Sequence, residues 1–250
     1  MGNIFSGIPR EIAKKIQEKC GLEVFIETGT YLGNTSRWAS KYFKEVYTIE
    51  LSKELFLAAV ENLRTCSNVK LFHGNSADEI SKILKTVGER SALIWLDAHF
   101  SGNKTSGAHE EAPLSKELKI LMEQKNYFYI LIDDARFILS PLSSDPSEYP
   151  SLTELVGLVD ATRYSIFSFQ DVIFILPKSP SPLDAVLRKY VFQMEYAKEV
   201  KKLSFYRDRL KERNLKEFVI GFLYLTRLYH IIMKYETLHR IASFFSRKRK

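Results

Sequence analysis

The sequence lacks the cysteine patterns that define several protein classes. Its 250 residues include two cysteines, Cys20 and Cys66, and no group of cysteines and histidines has zinc-binding spacing. Two cysteines suit a reducing compartment, and we expect both to be small buried side chains. A disulfide-stapled secreted domain and a structural zinc domain are therefore excluded.

Long apolar runs are also missing. No stretch of about 18 uncharged apolar residues occurs, so we expect no membrane-spanning helix. The N-terminal residues lack the basic and apolar regions of a secretory signal, so we predict a cytoplasmic protein. An apolar share of 45% still allows a sizeable core.

Positive charge is concentrated at one end of the chain, although the net charge is only +7. Residues 181–250 contain 17 Lys and Arg against 7 Asp and Glu, whereas the first 180 residues contain 20 against 23. A partner attracted by positive charge would therefore bind residues 181–250.

Short apolar runs alternate with helical stretches in the first 180 residues, which predicts βαβ units and a mostly parallel sheet. Two further β-rich runs predict a final hairpin, and a proline-rich segment at 177–182 ends it, so we place a domain boundary after residue 180. The predicted strands are residues 23–27, 46–50, 69–73, 92–97, 128–133, 164–169 and 172–176, and the main helices between them are 35–42, 53–63, 78–87, 114–124 and 151–161.

A Gly-x-x-x-Gly turn follows the first predicted strand, between Glu27 and a helix start. Gly29 lets the chain turn sharply and lets a ligand approach the backbone. The amide groups at the helix start, near Thr35 and Ser36, offer hydrogen bonds and a positive dipole end. The turn is consistent with a ligand site and also with a purely structural turn that Asn34 or Thr35 caps.

Glu50 ends the second predicted strand, 21 residues after Gly29. A separation of about 20 residues is typical of an acidic side chain that binds the ribose hydroxyls of a nucleoside. The chain does not have the Gly-x-Gly-x-x-Gly pattern of dinucleotide sites, so NAD is disfavoured.

These motifs resemble those of the class I S-adenosylmethionine-dependent methyltransferases over residues 20–177. The resemblance implies a Rossmann-like, seven-stranded, mostly parallel sheet with a C-terminal β-hairpin, followed here by a helical extension. It also implies that the stretch from Glu27 to Gly33 wraps the methionine part, that Glu50 binds the ribose and that residues 74–78 pass the adenine. The cofactor-binding residues predicted on this basis are Glu27, Thr28, Gly29, Thr30, Gly33, Thr35, Ser36, Glu50, Asn75, Ser76 and Asp97.

Three carboxylates follow the fourth and fifth predicted strands and should meet at one edge of the sheet: Asp97, Asp133 and Asp134. A hard divalent cation such as Mg²⁺ would relieve their mutual repulsion. It would also lower the pKa of a bound substrate hydroxyl. His99 is placed to act as a general base at neutral pH. The acidic pair could instead cap a helix or bind loop amides, and His99 could pack beneath a loop.

The same carboxylates resemble those of metal-dependent sugar O-methyltransferases of the macrocin type. These enzymes carry one acidic residue after strand four and an acidic pair after strand five. The resemblance implies methyl transfer to a sugar or glycan hydroxyl, with Asp97, Asp133 and Asp134 as metal ligands. It implies His99 and Asp97 as catalytic residues.

Other methyltransferase classes fit less well. Strand four is followed by Asp-Ala-His-Phe instead of the Asn/Asp-Pro-Pro-aromatic motif of N6-adenine enzymes, and no cysteine lies there for cytosine chemistry. Two alternatives remain open. One is a non-catalytic nucleoside-binding scaffold, and the other is an RNA methyltransferase whose basic extension grips RNA, although the acidic balance of residues 1–180 disfavours nucleic acid.

Residues 181–250 combine aromatic and basic side chains at helical spacing and end in Arg-Lys-Arg-Lys. This basic amphipathic extension could pack on the catalytic domain or on a second copy of the chain. It could also lie on an anionic membrane surface at the inner face of the membrane.

Overall fold

The computed structural model describes residues 7–97, 113–139, 149–178 and 183–211, with the backbone alone at 184 and 203–211. The described residues contain a seven-stranded sheet. Its strands are β1 Val24–Thr28, β2 Glu45–Glu50, β3 Val69–His73, β4 Ala92–Leu96, β5 Phe128–Ile132, β6 Tyr164–Phe169 and β7 Val172–Pro177.

The strand order is β3-β2-β1-β4-β5-β7-β6. The first five strands are parallel, and β7 runs antiparallel to both β5 and β6. This arrangement confirms the Rossmann-like sheet and the final hairpin expected from the sequence. The direction of chain progression reverses between β1 and β4, and ligands of such sheets bind in the crevice outside the carboxyl ends of the strands at this point.

Helices connect the strands and cover the sheet. They are α1 Arg10–Cys20, α2 Asn34–Ala39, α3 Lys53–Leu63, α4 Ser76–Val87, α5 Pro113–Met122, α6 Ala135–Leu139, α7 Leu152–Leu158 and α8 Leu183–Lys211. Local signals define several starts, because the side chains of Ser52 and Asn75 accept hydrogen bonds from the first turns of α3 and α4. Ser151 and Glu154 form a capping box at α7.

Both faces of the central strands of the sheet are buried. Alternate residues of β1, such as Ile26, belong to a core cluster that also contains Ile80 of α4 and Leu118 of α5. Phe25, the residue between Val24 and Ile26 of β1, points to the other face of the sheet. It packs against Trp38 of α2, with ring centroids 6.3 Å apart. Every residue of β4 and β5 is buried, as expected for central parallel strands that helices cover on both sides.

The chain divides into two compact units, Met1–Ala185 and Val186–Lys250. The first unit contains the sheet. In the second unit the structure describes the part of α8 that continues to Lys211, and the remaining predicted helices lie outside the described residues. None of the described helices is long and apolar enough to cross a membrane.

Candidate cofactor site and active site

The loop after β1 makes the sharp turn that the glycine spacing predicted. Gly29 and Gly33 have φ values of 80° and 76°, and Tyr31 between them also adopts a left-handed conformation at 48°. The amides of Gly29 and Thr30 donate to the carbonyl oxygen of Ile49 at 3.0 and 3.1 Å. The loop is therefore fixed against the end of β2, where it leads directly into α2.

Glu27 lies behind this loop as a buried carboxyl group. It accepts hydrogen bonds from the hydroxyl groups of Thr48, at 2.8 Å, and Ser36. Burial raises the pKa of Glu27 to about 7, with the negative charge of Asp97 adding to the effect, while hydroxyl donors that include Thr35 lower it. The structure therefore brings Ser36 and Thr35 to the same carboxyl group, in a site that favours its neutral form.

Glu50 occupies the carboxyl end of the neighbouring strand, as the ribose prediction requires. One of its oxygens accepts the amide of Tyr31 at 2.8 Å, and the other accepts the amide of Ser52 at 2.9 Å. A carboxylate has about four lone-pair sites, so each oxygen can accept a further hydrogen bond. Glu50 is thus oriented by two backbone groups and retains acceptor capacity for a diol.

The loop after β3 is held beside Glu50. The amide of Gly74 donates to the carbonyl oxygen of Glu50 at 3.0 Å, and Asn75 caps α4 through the amide of Ala77 at 3.0 Å. Ser76, in the first turn of α4, is buried. Asn75 and Ser76 therefore follow Glu50 along the same edge of the sheet, where an adenine was expected.

Asp97 follows β4, at the strand next to β1. Its amide lies 3.2 Å from the carbonyl oxygen and 3.3 Å from the hydroxyl of Thr28. One carboxylate oxygen accepts the indole N–H of Trp95 at 3.3 Å. Thr28 and Asp97 therefore lie side by side at the carboxyl ends of β1 and β4, where the direction of chain progression reverses. His99, the predicted general base, lies outside the described residues.

Asp133 and Asp134 follow β5, beside Asp97. The amide of Asp133 donates to the carbonyl oxygen of Leu96 at 3.0 Å, and the amide of Asp134 donates to the Asp133 carboxylate at 2.8 Å. Asp134 also forms an ion pair with Arg136 at 2.7 Å and accepts the hydroxyl of Tyr149 at 3.2 Å. Within the described part of the chain, no three acidic, histidine or cysteine side chains form a group that could hold a metal ion.

Glu117 of α5 was missed by the sequence analysis. It is buried, and its Oε1 has no hydrogen-bond partner among the described residues. Burial raises the pKa of Glu117 to about 7, and hydrogen bonding with Ser76 and Thr28 partly offsets this. A signal existed in the sequence, because Glu117 occupies a position on the apolar face that Leu114, Leu118 and Leu121 define.

Comparison with solved structures finds methyltransferases. PaMTH1 of Podospora anserina, solved with S-adenosylhomocysteine, is 17% identical over 70% of this chain and 80% of its own, with a TM-score of 0.50. TomG, an O-methyltransferase of Streptomyces achromogenes solved with S-adenosylmethionine, is 14% identical over 70% and 82%, with a TM-score of 0.49. An O-methyltransferase of Bacillus cereus, solved with S-adenosylhomocysteine, is 14% identical over 68% and 82%, with a TM-score of 0.46.

No protein-family model matches the chain, and no curated protein matches it. At 17% identity the likeness to PaMTH1 is evidence for the fold alone. The fold is also what the strand order shows independently. The first unit of this chain therefore has the Rossmann-like fold of the S-adenosylmethionine-dependent methyltransferases.

Proposed function

We propose that this chain is an S-adenosylmethionine-dependent O-methyltransferase whose cofactor lies along the carboxyl ends of β1, β2 and β3. One observation carries the proposal: the carboxylate of Glu50 is 2.8 Å from the amide of Tyr31, in the turn that begins at Gly29. A nucleoside bound there would have its ribose at Glu50 and the rest of the cofactor along the turn after β1.

The reaction proposed is an in-line displacement. An acceptor oxygen attacks the methyl carbon, the carbon–sulfur bond breaks with its electron pair on sulfur, and the acceptor proton leaves to a base. No covalent enzyme intermediate is needed, so positioning of the two substrates supplies most of the rate. We assign the base to His99 and a positioning or electrostatic role to Asp97 at the end of β4.

The acceptor that we propose is a hydroxyl group of a sugar or glycan, on the basis of the carboxylates after β4 and β5. The sequence predicts three ligands for a divalent cation such as Mg²⁺: Asp97, Asp133 and Asp134. Asp134 is paired with Arg136, and we propose that the other two hold the cation. Two carboxylates with water and substrate oxygens are a common Mg²⁺ environment. The cation would lower the pKa of the acceptor hydroxyl when it is bound.

Calorimetric titration with S-adenosylhomocysteine tests the cofactor site. Because hydrogen bonds to a charged group contribute about 1.5–3 kcal/mol, we expect Glu50→Ala to weaken binding by roughly 10- to 100-fold. Glu54→Ala is the matched control, because Glu54 is an exposed carboxylate in the first turn of α3. If the wild-type chain does not bind the cofactor product, the turn after β1 is structural and the methyltransferase proposal is wrong.

Methyl transfer to glycan acceptors, measured with and without a chelator, tests the finer parts of the proposal. We expect activity to fall on chelation and to return with Mg²⁺ or Mn²⁺. If chelation does not change the activity, the proposal of a metal ion is wrong. Cofactor binding without turnover on any acceptor, together with tolerance of Asp97→Ala, would instead favour a nucleoside-binding scaffold.

A further inference from the structure

Arg136 connects carboxylates from two separate parts of the fold. Its Nη2 lies 2.7 Å from Oδ1 of Asp134, which follows β5, and its Nη1 pairs with Oδ2 of Asp171, in the turn between β6 and β7. The Asp134 and Asp171 side chains are each only 8% exposed. One guanidinium therefore offsets two negative charges that are largely removed from water.

Main-chain hydrogen bonds hold Asp171 against the start of α6. Oδ1 of Asp171 accepts the amide of Arg136 at 2.9 Å, and the carbonyl oxygen of Asp171 accepts the amide of Ala135 at 2.9 Å. The guanidinium carbon also lies 4.5 Å from the ring centroid of Phe137. The turn between β6 and β7 is thus tied to the start of α6, and the Arg136 side chain is held between its two acidic partners.

The carboxylate of Asp134 has a donor on each oxygen. Oδ1 faces Arg136, and Oδ2 accepts the hydroxyl of Tyr149 at 3.2 Å. The backbone of Asp134 is left-handed, with a φ of 56°, a conformation that Asp adopts more readily than most residues other than Gly. The ion pair and the Tyr149 hydrogen bond together hold the Asp134 side chain through both of its oxygens.

We propose that Arg136 is the resident cation of this acidic edge, pairing with Asp134 and thereby keeping Asp134 from acting as a ligand of a divalent cation. The guanidinium has donors on several nitrogen atoms in a planar arrangement, so Arg136 can pair with Asp134 and Asp171 at the same time. A divalent ion on the same carboxylate would lie against a like charge. This role rests on the proposed function, which places the acceptor hydroxyl beside the carboxylates that follow β4 and β5.

Titration of the full-length protein with Mn²⁺, without cofactor, tests this pairing directly. We expect Arg136→Met to bind Mn²⁺ at least tenfold more tightly than the wild type, because Asp134 then loses the cation with which it is paired. Adding Asp134→Asn to that variant should remove the gain. Arg136→Lys is the matched control: it keeps the positive charge and should bind Mn²⁺ within about threefold of the wild type.

Two results would overturn the inference. One is a folded Arg136→Met variant with no gain in Mn²⁺ affinity. The other is a tenfold loss of Mn²⁺ affinity when Asp134→Asn is made in the wild type, since Asp134 would then already be a ligand. This comparison tests the proposal even if Arg136→Met does not fold. Titration of the same samples with S-adenosylhomocysteine separates the two proposals, since absent cofactor binding contradicts the proposed function while the Mn²⁺ comparison still reports on Arg136.

Discussion

Glu117 is a buried carboxyl group whose pKa is raised to about 7, mainly by burial. The folded chain therefore keeps a proton on Glu117 that the unfolded chain, with a pKa near 4.5, has lost. Below pH 4.5 Glu117 is protonated in both states, so its ionisation does not change the free energy of unfolding. As the pH rises from 4.5 to 7 the free energy of unfolding falls, by about 3 kcal/mol in all from this group.

Glu117→Gln should therefore stabilise the protein in alkaline solution. The neutral amide resembles the protonated carboxyl group, so we expect little difference from the wild type near pH 5 and a gain of about 2–3 kcal/mol at pH 8. Urea unfolding at both pH values measures this difference. Glu61→Gln, at an exposed carboxylate of α3, is the control and should follow the wild type. A Glu117→Gln variant that is equally destabilised at both pH values would contradict the assignment.

Glu27 gives a second pH dependence, in cofactor binding. Its pKa is raised to about 7 in the free protein. The methionine part of the proposed cofactor carries a positive ammonium group, which would favour the ionised carboxylate. Binding should then release a proton near pH 7, and affinity should rise as the pH increases from 6 to 8.

Calorimetry at pH 7 in two buffers with different ionisation enthalpies measures the released proton. We expect Glu27→Gln to remove this release and to flatten the pH dependence of S-adenosylhomocysteine affinity. Equal proton release in the wild type and in the variant would assign the effect to another group.

The turn that leads into α2 depends on a glycine for two separate reasons. Gly33 has a φ of 76°, and a Cβ added there would lie 2.9 Å from Cγ and Cδ1 of Leu63 in α3. A left-handed backbone costs an L-residue about 1–2 kcal/mol, and the displaced Leu63 side chain adds to this. Either the Leu63 side chain or the turn that carries Gly33 therefore has to shift if this position changes.

Gly33→Ala should lower both the free energy of unfolding and the cofactor affinity. Gly21→Ala is a matched control, since Gly21 has a φ of 62° and no atom within 4 Å of the added Cβ. We expect Gly21→Ala to cost about 1 kcal/mol and Gly33→Ala about 2–3 kcal/mol, measured by urea unfolding. Equal losses at the two positions would show that Leu63 adjusts without cost.

At the level of elements, the sequence predicted the strands well because their runs of β-branched and aromatic residues are short, apolar and bounded by turns. Helix α6 was not predicted, since five residues are too few for a periodic pattern. Its start depends on Asp171, which lies 35 residues along the chain from Arg136 and only reaches α6 through the sheet. Contacts of this kind carry no local signal.

In the candidate site, too, features with a local sequence signal were predicted and contacts between side chains were not. Glu27, Gly29 and Glu50 were predicted because each lies at the end of a strand, where the parallel sheet places the ends together. The pairing of Asp134 with Arg136 was not predicted, although both residues were visible in the sequence. Adjacent acidic residues suggest a shared cation, but they do not say whether that cation is a metal ion or an arginine.

At the scale of the whole molecule, charge is divided between two parts of the chain. Residues 181–250 hold 17 basic and 7 acidic residues, and the preceding 180 hold 20 and 23. A basic segment near an anionic bilayer contributes about 1 kcal/mol for each Lys or Arg close to the surface, and salt screens this attraction. We propose that the extension brings the first unit to an anionic membrane surface.

Replacement of residues 247–250 by four glutamines tests this arrangement. Because four basic charges are removed from one end, we expect binding to phosphatidylglycerol vesicles to weaken at least tenfold, with cofactor affinity unchanged. Vesicle co-sedimentation at several salt concentrations measures this binding, with phosphatidylcholine vesicles as the uncharged reference.

The control replaces four exposed lysines of the first unit by glutamine: Lys41, Lys53, Lys85 and Lys125. If both quadruple variants lose binding equally, net charge alone is responsible; if the wild-type chain binds neither vesicle and is dimeric, the extension serves a second copy of the chain.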